Sequence, residues 1–438
     1  MFLLQPITLR VLHDDVKWQE LFLSISVIQV GVVLATAGLP LEITNSWYDK
    51  DGPRRSRAIS GFLSFGGAFL GIAVAAAFLL LSTVTGWAPV FALAIAALGF
   101  QASVLSAQAI LRAQGRAVRF VVLSLMSSMG AYGIGLLVMV IWGPEPFDFM
   151  LGYLGGVVAT ALLAWSWTRP SNPFRIPGII GESFRIGLPV LPHTGALMLL
   201  TQGMPFLLAL VAAPGLSGDY GKVQIFVLGT ISVLNALNNA WVTSIMSTRG
   251  AARTVQVHKI ARTASWISVG LVVLAGSAAN LVVHLMAQGK ESLIPLAQVM
   301  PLVGIGYALY LTACTLLFAV RETWWLAILS PLALIVGIAI AVMPALRGDL
   351  TLAGLASAMS FLLLGFMYYL VAKRHLEGHW PLRDFVIAAV VSAAYVAAIE
   401  LLPRDLLTGL ITCCAGLILA AAAVAVVVLK RRRARSAA

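Results

Sequence analysis

The sequence predicts an all-α polytopic membrane protein, and three observations carry that prediction. Of 438 residues, 60% are hydrophobic and only 11% charged, with a mean hydropathy of +0.95. A water-soluble chain of this length needs far more polar surface to cover its core. Apolar runs recur from end to end at about 20 residues each, the length that crosses the hydrocarbon core as a helix. The basic residues, finally, change sides with each run. A membrane β-barrel is excluded, because its strands would alternate polar and apolar residues and these runs do not.

In chain order the apolar spans centre on residues 20–42, 59–82, 88–111, 119–142, 149–167, 186–213, 222–246, 261–286, 294–319, 324–345, 350–372, 384–402 and 406–429. The segments between them fix orientation. One side collects Lys50, Arg54, Arg55 and Arg57; Arg112, Arg116 and Arg119; Arg169, Arg175 and Arg185; Arg249, Arg253, Lys259 and Arg262; Arg321; Lys373, Arg374 and Arg383; and the tail Lys430, Arg431, Arg432, Arg433 and Arg435. The other holds Arg10, Lys17, Lys222, Lys290, Arg347 and Arg404. With 23 of the 29 basic residues on one side, that side is cytoplasmic. The net charge of +12 is therefore topological and gives no reason to expect a nucleic-acid partner. Contact with anionic lipid accounts for the KRRRAR tail.

Thirteen complete spans and a cytoplasmic C-terminus put the N-terminus outside. The apolar piece from Phe2 to Leu12 is too short to cross; it reads as the outer end of a truncated first helix, giving fourteen in all. An internal repeat supports that count. Near residue 18 the chain reads VKWQELFLSISVIQVGVVLATAGLPLEI, and near 220 DYGKVQIFVLGTISVLNALNNAWVTSIM. Both segments enter from the same side and lead to a basic cytoplasmic stretch, so the repeat is parallel, with a pseudo-twofold axis along the membrane normal. The expected organisation is an N-terminal helical bundle over 1–167, a cytoplasmic linker over 168–185 and a second six-helix bundle over 186–372. Two extra spans follow over 384–429, then the basic tail, 430–438.

Several stretches resemble a known family. FRIGLPVLPHTGALMLL and GDYGKVQIFVLGTISVLNALNNAW are similar to helices seven and eight of Wzx-like polysaccharide and O-antigen flippases. These belong to the multidrug/oligosaccharidyl-lipid/polysaccharide exporter superfamily. PITLRVLHDDVKWQELF, GLPLEI, ILRAQGRAVRF and LAGLASAMSFLLLGFMYYL match less specific parts of the same pattern, and the likeness extends over nearly the whole chain. It implies a V-shaped, MATE-like fold and the flipping of a lipid-linked glycan by alternating access in the bacterial inner membrane. The implied partners are that glycan, the bilayer, and a polysaccharide polymerase or glycosyltransferases. One departure concerns helix seven: such flippases often carry an Asp-Arg pair where this chain has Gly203-Met204-Pro205.

Polar side chains inside spans are costly and usually face a cavity or a partner helix. Asn235, Asn238 and Asn239 stand at i, i+3, i+4, and Gln224 eleven residues earlier shares their expected face. Gln101, Gln108 and Arg112 form a stripe running toward the cytoplasmic end of their span. Gln101, Gln108, Arg112, Gln202, Asn235, Asn238 and Asn239 are the expected substrate-contacting residues, with Arg112 meeting a diphosphate. Inter-helix hydrogen bonding is the competing reading for the amides, and snorkelling for Arg112. Glu42 and Asn45 could couple a cation, because a buried carboxylate needs a proton, a cation or a basic partner. Pro192 and His193 mark a possible gate: a proline within a helix removes a hydrogen bond and can kink it.

The chain has no metal-ligand spacing, nucleophile elbow or phosphate-cradling glycine motif, so neither a cofactor nor a catalytic residue is expected. Cys314, Cys413 and Cys414 lie in apolar runs and read as packing residues. A cation-coupled exporter of drugs or small molecules is the alternative within the same fold. A glycan polymerase or glycosyltransferase would need a larger extramembrane segment than any loop here provides.

Overall fold

The computed structural model describes residues 4–12, 14–376 and 380–436, with side chains described throughout except at Thr243 and 423–436. The basic side chains of the tail thus lie outside the described residues. Twelve helical runs are long and apolar enough to span a bilayer, and a further apolar stretch, Leu406–Ala422, opens the last helix. Among the described residues there is no strand. The chain forms two compact units, Met1–Phe206 and Leu207–Ala438.

The first unit contains α1 (Gln5–Leu12), α2 (Asp15–Thr36), α3 (Leu39–Ser46), α4 (Gly52–Gly61), α5 (Gly67–Thr85), α6 (Val90–Ala113), α7 (Ala117–Leu125), α8 (Ala131–Trp142), α9 (Pro146–Thr168), α10 (Ile179–Gly187) and most of α11 (Leu191–Val211). The second contains α12 (Leu216–Val223), α13 (Ile225–Met246), α14 (Gly250–Met286), α15 (Ile294–Val299), α16 (Val303–Ala319), α17 (Trp324–Arg347), α18 (Leu350–Ala372), α19 (Leu382–Glu400) and α20 (Leu406–Ser436). The boundary between the units lies within α11.

The two units repeat one packing order. In the first, α6 is the central helix, touching α2, α5 and α9, with α8 on α9. In the second, α16 is central, touching α13, α14 and α18, with α17 on α18. Counted as spans, first meets third, second meets third, third meets fifth and fourth meets fifth in both. The two additional helices, α19 and α20, pack on α14.

Small residues allow the central helix of the first unit to be enclosed. The buried positions of α6 are mostly Ala, Gly and Ser, as expected where lipid removes the hydrophobic drive and close backbone approach replaces it. A Cβ on Gly71 of α5 would stand 2.8 Å from the Gly99 Cα of α6. Aromatic packing closes the other side, where Tyr132 and Phe149 meet edge-on at 4.8 Å. The Tyr132 hydroxyl is 3.1 Å from that of Thr8, which ties α1 to α8.

Caps follow the side of the membrane. Asp14 accepts from the amides of Val16 (2.7 Å) and Lys17, Asp349 from Leu352 (2.9 Å) and Asp405 from Thr408 (2.8 Å). All three helices start on the side poor in Lys and Arg, where an acidic cap complements the helix dipole. The Thr408 amide, followed by its hydroxyl, holds the Asp405 carboxyl below its ordinary value.

Several boundaries differ from the sequence reading. The span expected over 20–42 ends at Thr36, because Ala37 and Gly38 take left-handed φ of 46° and 72°. Glu42 and Asn45 therefore sit on a separate short helix, α3. The stretches holding Arg54–Arg57 and Arg253–Arg262 are helical continuations of the following spans, not loops. Two spans also carry a π-helical turn, Phe62–Gly66 between α4 and α5 and Met126–Gly130 between α7 and α8. A π-turn admits one extra residue and shifts the helical register after it, which hydropathy does not register.

Candidate functional site

In the first unit the stripe on α6 resolves into three environments. Gln108 Nε2 donates to Ser124 Oγ on α7 at 3.1 Å, an inter-helix bond. Gln101 Oε1 is buried and has no partner among the described residues. Arg112, in the last turn of α6, is exposed, and its guanidinium lies 5.3 Å from the centre of the Phe120 ring. That position allows a cation–π contact while leaving donors open to the aqueous side.

Sequence reasoning passed over a ladder of buried serines beside this stripe. Ser60 and Ser106 hydroxyls are 3.0 Å apart, Ser64 and Ser106 3.5 Å, and Ser46 and Ser56 3.0 Å. Ser103 donates to the Ser64 carbonyl within the first π-turn. The i, i+4 spacing of Ser56, Ser60 and Ser64 was the available signal. These bonds join α3, α4 and the π-turn to one another and to α6.

Glu42 is buried, in contrast to exposed Asn45 three residues on. Its helix packs through Leu39 and Ile43 against Ala58, Ile59, Ile110 and Ile179. Burial raises the Glu42 carboxyl above its ordinary value; Arg55 pulls it down, while Glu182 and Asp49 push it up. Arg55 is already engaged, at 2.7 Å, with Glu182. The structure does not join Glu42 and Asn45 in a ligand set, and no acidic, His or Cys cluster able to hold a metal occurs among the described residues.

The proline-rich segment behaves differently from its expectation. α10 ends at Gly187 and a 3₁₀ turn, Leu188–Val190, precedes α11. Pro189 lies in that turn, while Pro192 is the second residue of α11, where a missing amide donor is harmless. The interruption is thus at Pro189, and the proline inside α11 is Pro205. Beside the turn, Gly187 meets Gly38 so closely that a Cβ on Gly38 would lie 2.6 Å from the Gly187 carbonyl oxygen. His193 is buried one turn further on. Gln202 is buried too, and its Nε2 donates to Gln29 Oε1 of α2 at 2.6 Å. Gln29 is an intramembrane amide that the reasoning applied to Gln202 should have included.

In the second unit Gln224 departs from the expected stripe. It forms the break between α12 and α13 and is buried, whereas Asn235 and Asn239 are exposed. Tyr307 of α16 donates to Asn235 Oδ1 at 2.8 Å, and Thr315 to Asn238 Oδ1 at 3.3 Å. Neither α16 partner was singled out from sequence. The exposed face of α13 comprises Ser232, Val233, Asn235, Ala236, Asn239 and Ala240. The exposed face of α5 instead carries Phe69, Leu70, Ile72, Leu79 and Leu80. The second is suited to lipid. The first carries amides that hydrocarbon would not solvate.

No protein-family profile and no curated protein sequence matches the chain. Solved structures do. The chain is similar to the lipid II flippase MurJ in an inward closed conformation, with a TM-score of 0.68 and 12% identity over 96% of both chains. It is also similar to an inward-facing multidrug resistance MATE family transporter of the MOP superfamily, with a TM-score of 0.64 and 14% identity over 84% of this chain and 96% of that one. A MOP superfamily transporter from Pyrococcus furiosus gives a TM-score of 0.55 and 14% identity over 91% and 92%. These neighbours are transporters and a flippase, not enzymes. The chain has their fold, an all-helical multi-pass membrane fold.

Proposed function

We propose that this protein flips a polyprenyl-diphosphate-linked oligosaccharide, a repeat unit of surface polysaccharide or O-antigen, from the cytoplasmic to the outer leaflet of the bacterial inner membrane. The observation that carries this reading is the exposed face of α13, whose polar side chains, Ser232, Asn235 and Asn239, are all uncharged. Sugar hydroxyls need donors and acceptors without net charge. The polyprenyl tail remains in lipid while the head group crosses by alternating access. Arg112, exposed at the basic end of α6, would meet the diphosphate as it arrives. With the cytoplasm negative, outward movement of an anion is downhill by about 2.3 kcal/mol per charge per 100 mV. The likeness to a lipid II flippase over almost the whole chain supports the same reading.

A cation-coupled exporter is the second reading. Buried Glu42 and the likeness to multidrug transporters favour it. The discriminating measurement is export of lipid-linked glycan in a strain carrying Asn235→Ala with Asn239→Ala. Membrane insertion should be unchanged and export should fall at least about tenfold, the scale of a few lost hydrogen bonds. Normal export would reduce the stripe to helix packing. Deleting the gene should strand the glycan on the cytoplasmic face; its accumulation outside, unpolymerised, would indicate a polymerase.

A further inference from the structure

The two ends of the α13 asparagines are not equally free. An asparagine amide has one oxygen that accepts and one nitrogen that donates twice. Asn235 and Asn238 both have their oxygen engaged by a hydroxyl of α16, from Tyr307 at 2.8 Å and Thr315 at 3.3 Å. Both hydroxyl-bearing residues are buried. The Tyr307 ring is held against Tyr310 (5.5 Å between centroids) and edge-on to Phe361 (5.6 Å), so its hydroxyl has a fixed place. With that oxygen committed to α16, the NH₂ group is the end of exposed Asn235 left to donate. Asn238, half-buried, stands beside it at the edge of the same face.

We infer that Tyr307 and Thr315 are positioning residues that set the hydrogen-bond polarity of Asn235 and Asn238: these amides offer donors, and so take the acceptor oxygens of a head group rather than cations. The inference rests on the glycan reading and deepens it by naming the chemistry recognised. Acceptor oxygens of either source, sugar or diphosphate, satisfy the same donors. A cation meets the positive end of the amide dipole and is turned away.

The test uses the full chain in lipid nanodiscs. Three probes are compared: geranyl diphosphate bearing one N-acetylglucosamine, geranyl diphosphate alone, and ethidium. Asn235→Asp keeps the shape and the Tyr307 hydrogen bond but replaces the outward NH₂ by an oxygen. It should weaken the glycan probe at least about tenfold at neutral pH and create ethidium binding. That gain should vanish as acid protonates the new carboxyl. Tyr307→Phe and Thr315→Val should each weaken the glycan probe several-fold, and Thr315→Ser, which restores a hydroxyl, should recover it. A purely structural threonine would not give that recovery together with unchanged melting. Loss against geranyl diphosphate alone assigns the donors to phosphate oxygens; loss confined to the glycosylated probe assigns them to the sugar.

Wild-type-like probe binding by Asn235→Asp, with no ethidium gained, overturns the polarity inference while leaving the glycan reading standing. Should the wild type bind neither prenyl probe while Asn235→Asp still gains ethidium, the glycan reading fails and the polarity stands. If Asn235→Asp does not fold, the Thr315→Val and Thr315→Ser pair decides: equal binding by both overturns the inference.

Discussion

Glu42 separates the two transport readings at the level of a single side chain. Its folded-state affinity for a proton is raised, chiefly by burial. The folded state therefore holds more protons than the unfolded chain once pH exceeds the ordinary carboxyl value of 4.5, and stability falls as pH rises toward the raised value. Glu42→Gln should remove that slope and melt no lower than the wild type at neutral pH, measured by thermal unfolding in detergent across pH. Glycan export by the same variant should stay at wild-type level at every pH tested. A loss of export that tracks pH would favour cation coupling. Glu42 illustrates how far the sequence carries at this scale. That a carboxylate lies near an inner helix end is visible in the chain; its burial, on a helix that packs through Leu39 and Ile43 against Ile59 and Ile110, and the engagement of Arg55 by Glu182, depend on residues brought together by folding. The same limit hid Tyr307 and Thr315, which look like ordinary core residues until α16 is laid beside α13.

Among the elements, the spans were legible because a bilayer imposes a length and an apolar composition on each of them. The interruptions were not. Ala37–Gly38, the 3₁₀ turn at Pro189, the break at Gln224 and both π-turns all fall inside runs that the sequence presents as continuous spans. Hydropathy scores side chains, whereas these features are backbone conformations set by packing. The contact between α5 and α6 is the clearest case to test. Gly71→Leu places side-chain atoms where the Gly99 backbone already is. Overpacking of this kind typically costs about 1–3 kcal/mol. The variant should lose thermal stability in detergent, while Gly155→Leu on α9, where nothing stands within 4 Å of the added Cβ, should not.

For the molecule as a whole, charge is arranged across the membrane. Acidic caps stand at the starts of α2, α18 and α20 on the side poor in Lys and Arg. On that side, too, the few lysines are matched by acids: Lys17 with Glu145 at 2.6 Å, and Lys222 and Lys290 with Asp219 at 2.9 and 3.2 Å. The basic residues of the opposite side are mostly exposed. In a chain whose three native cysteines are replaced by alanine, Asp405→Cys should react with a membrane-impermeant thiol reagent in intact cells. Asp51→Cys should react only after permeabilisation. The reverse pattern would invert the orientation and, with it, the direction of transport.

The length of α14 has a mechanical meaning. Its 37 residues make a rod about 55 Å long at 1.5 Å per residue, against a hydrocarbon core of about 30 Å. Roughly 25 Å therefore overhangs the membrane core, and the end carrying Arg253, Lys259 and Arg262 is the far end of a lever. With α19 and α20 packed along it, any tilt about the bilayer centre would carry that basic end further than the spanning part of the helix.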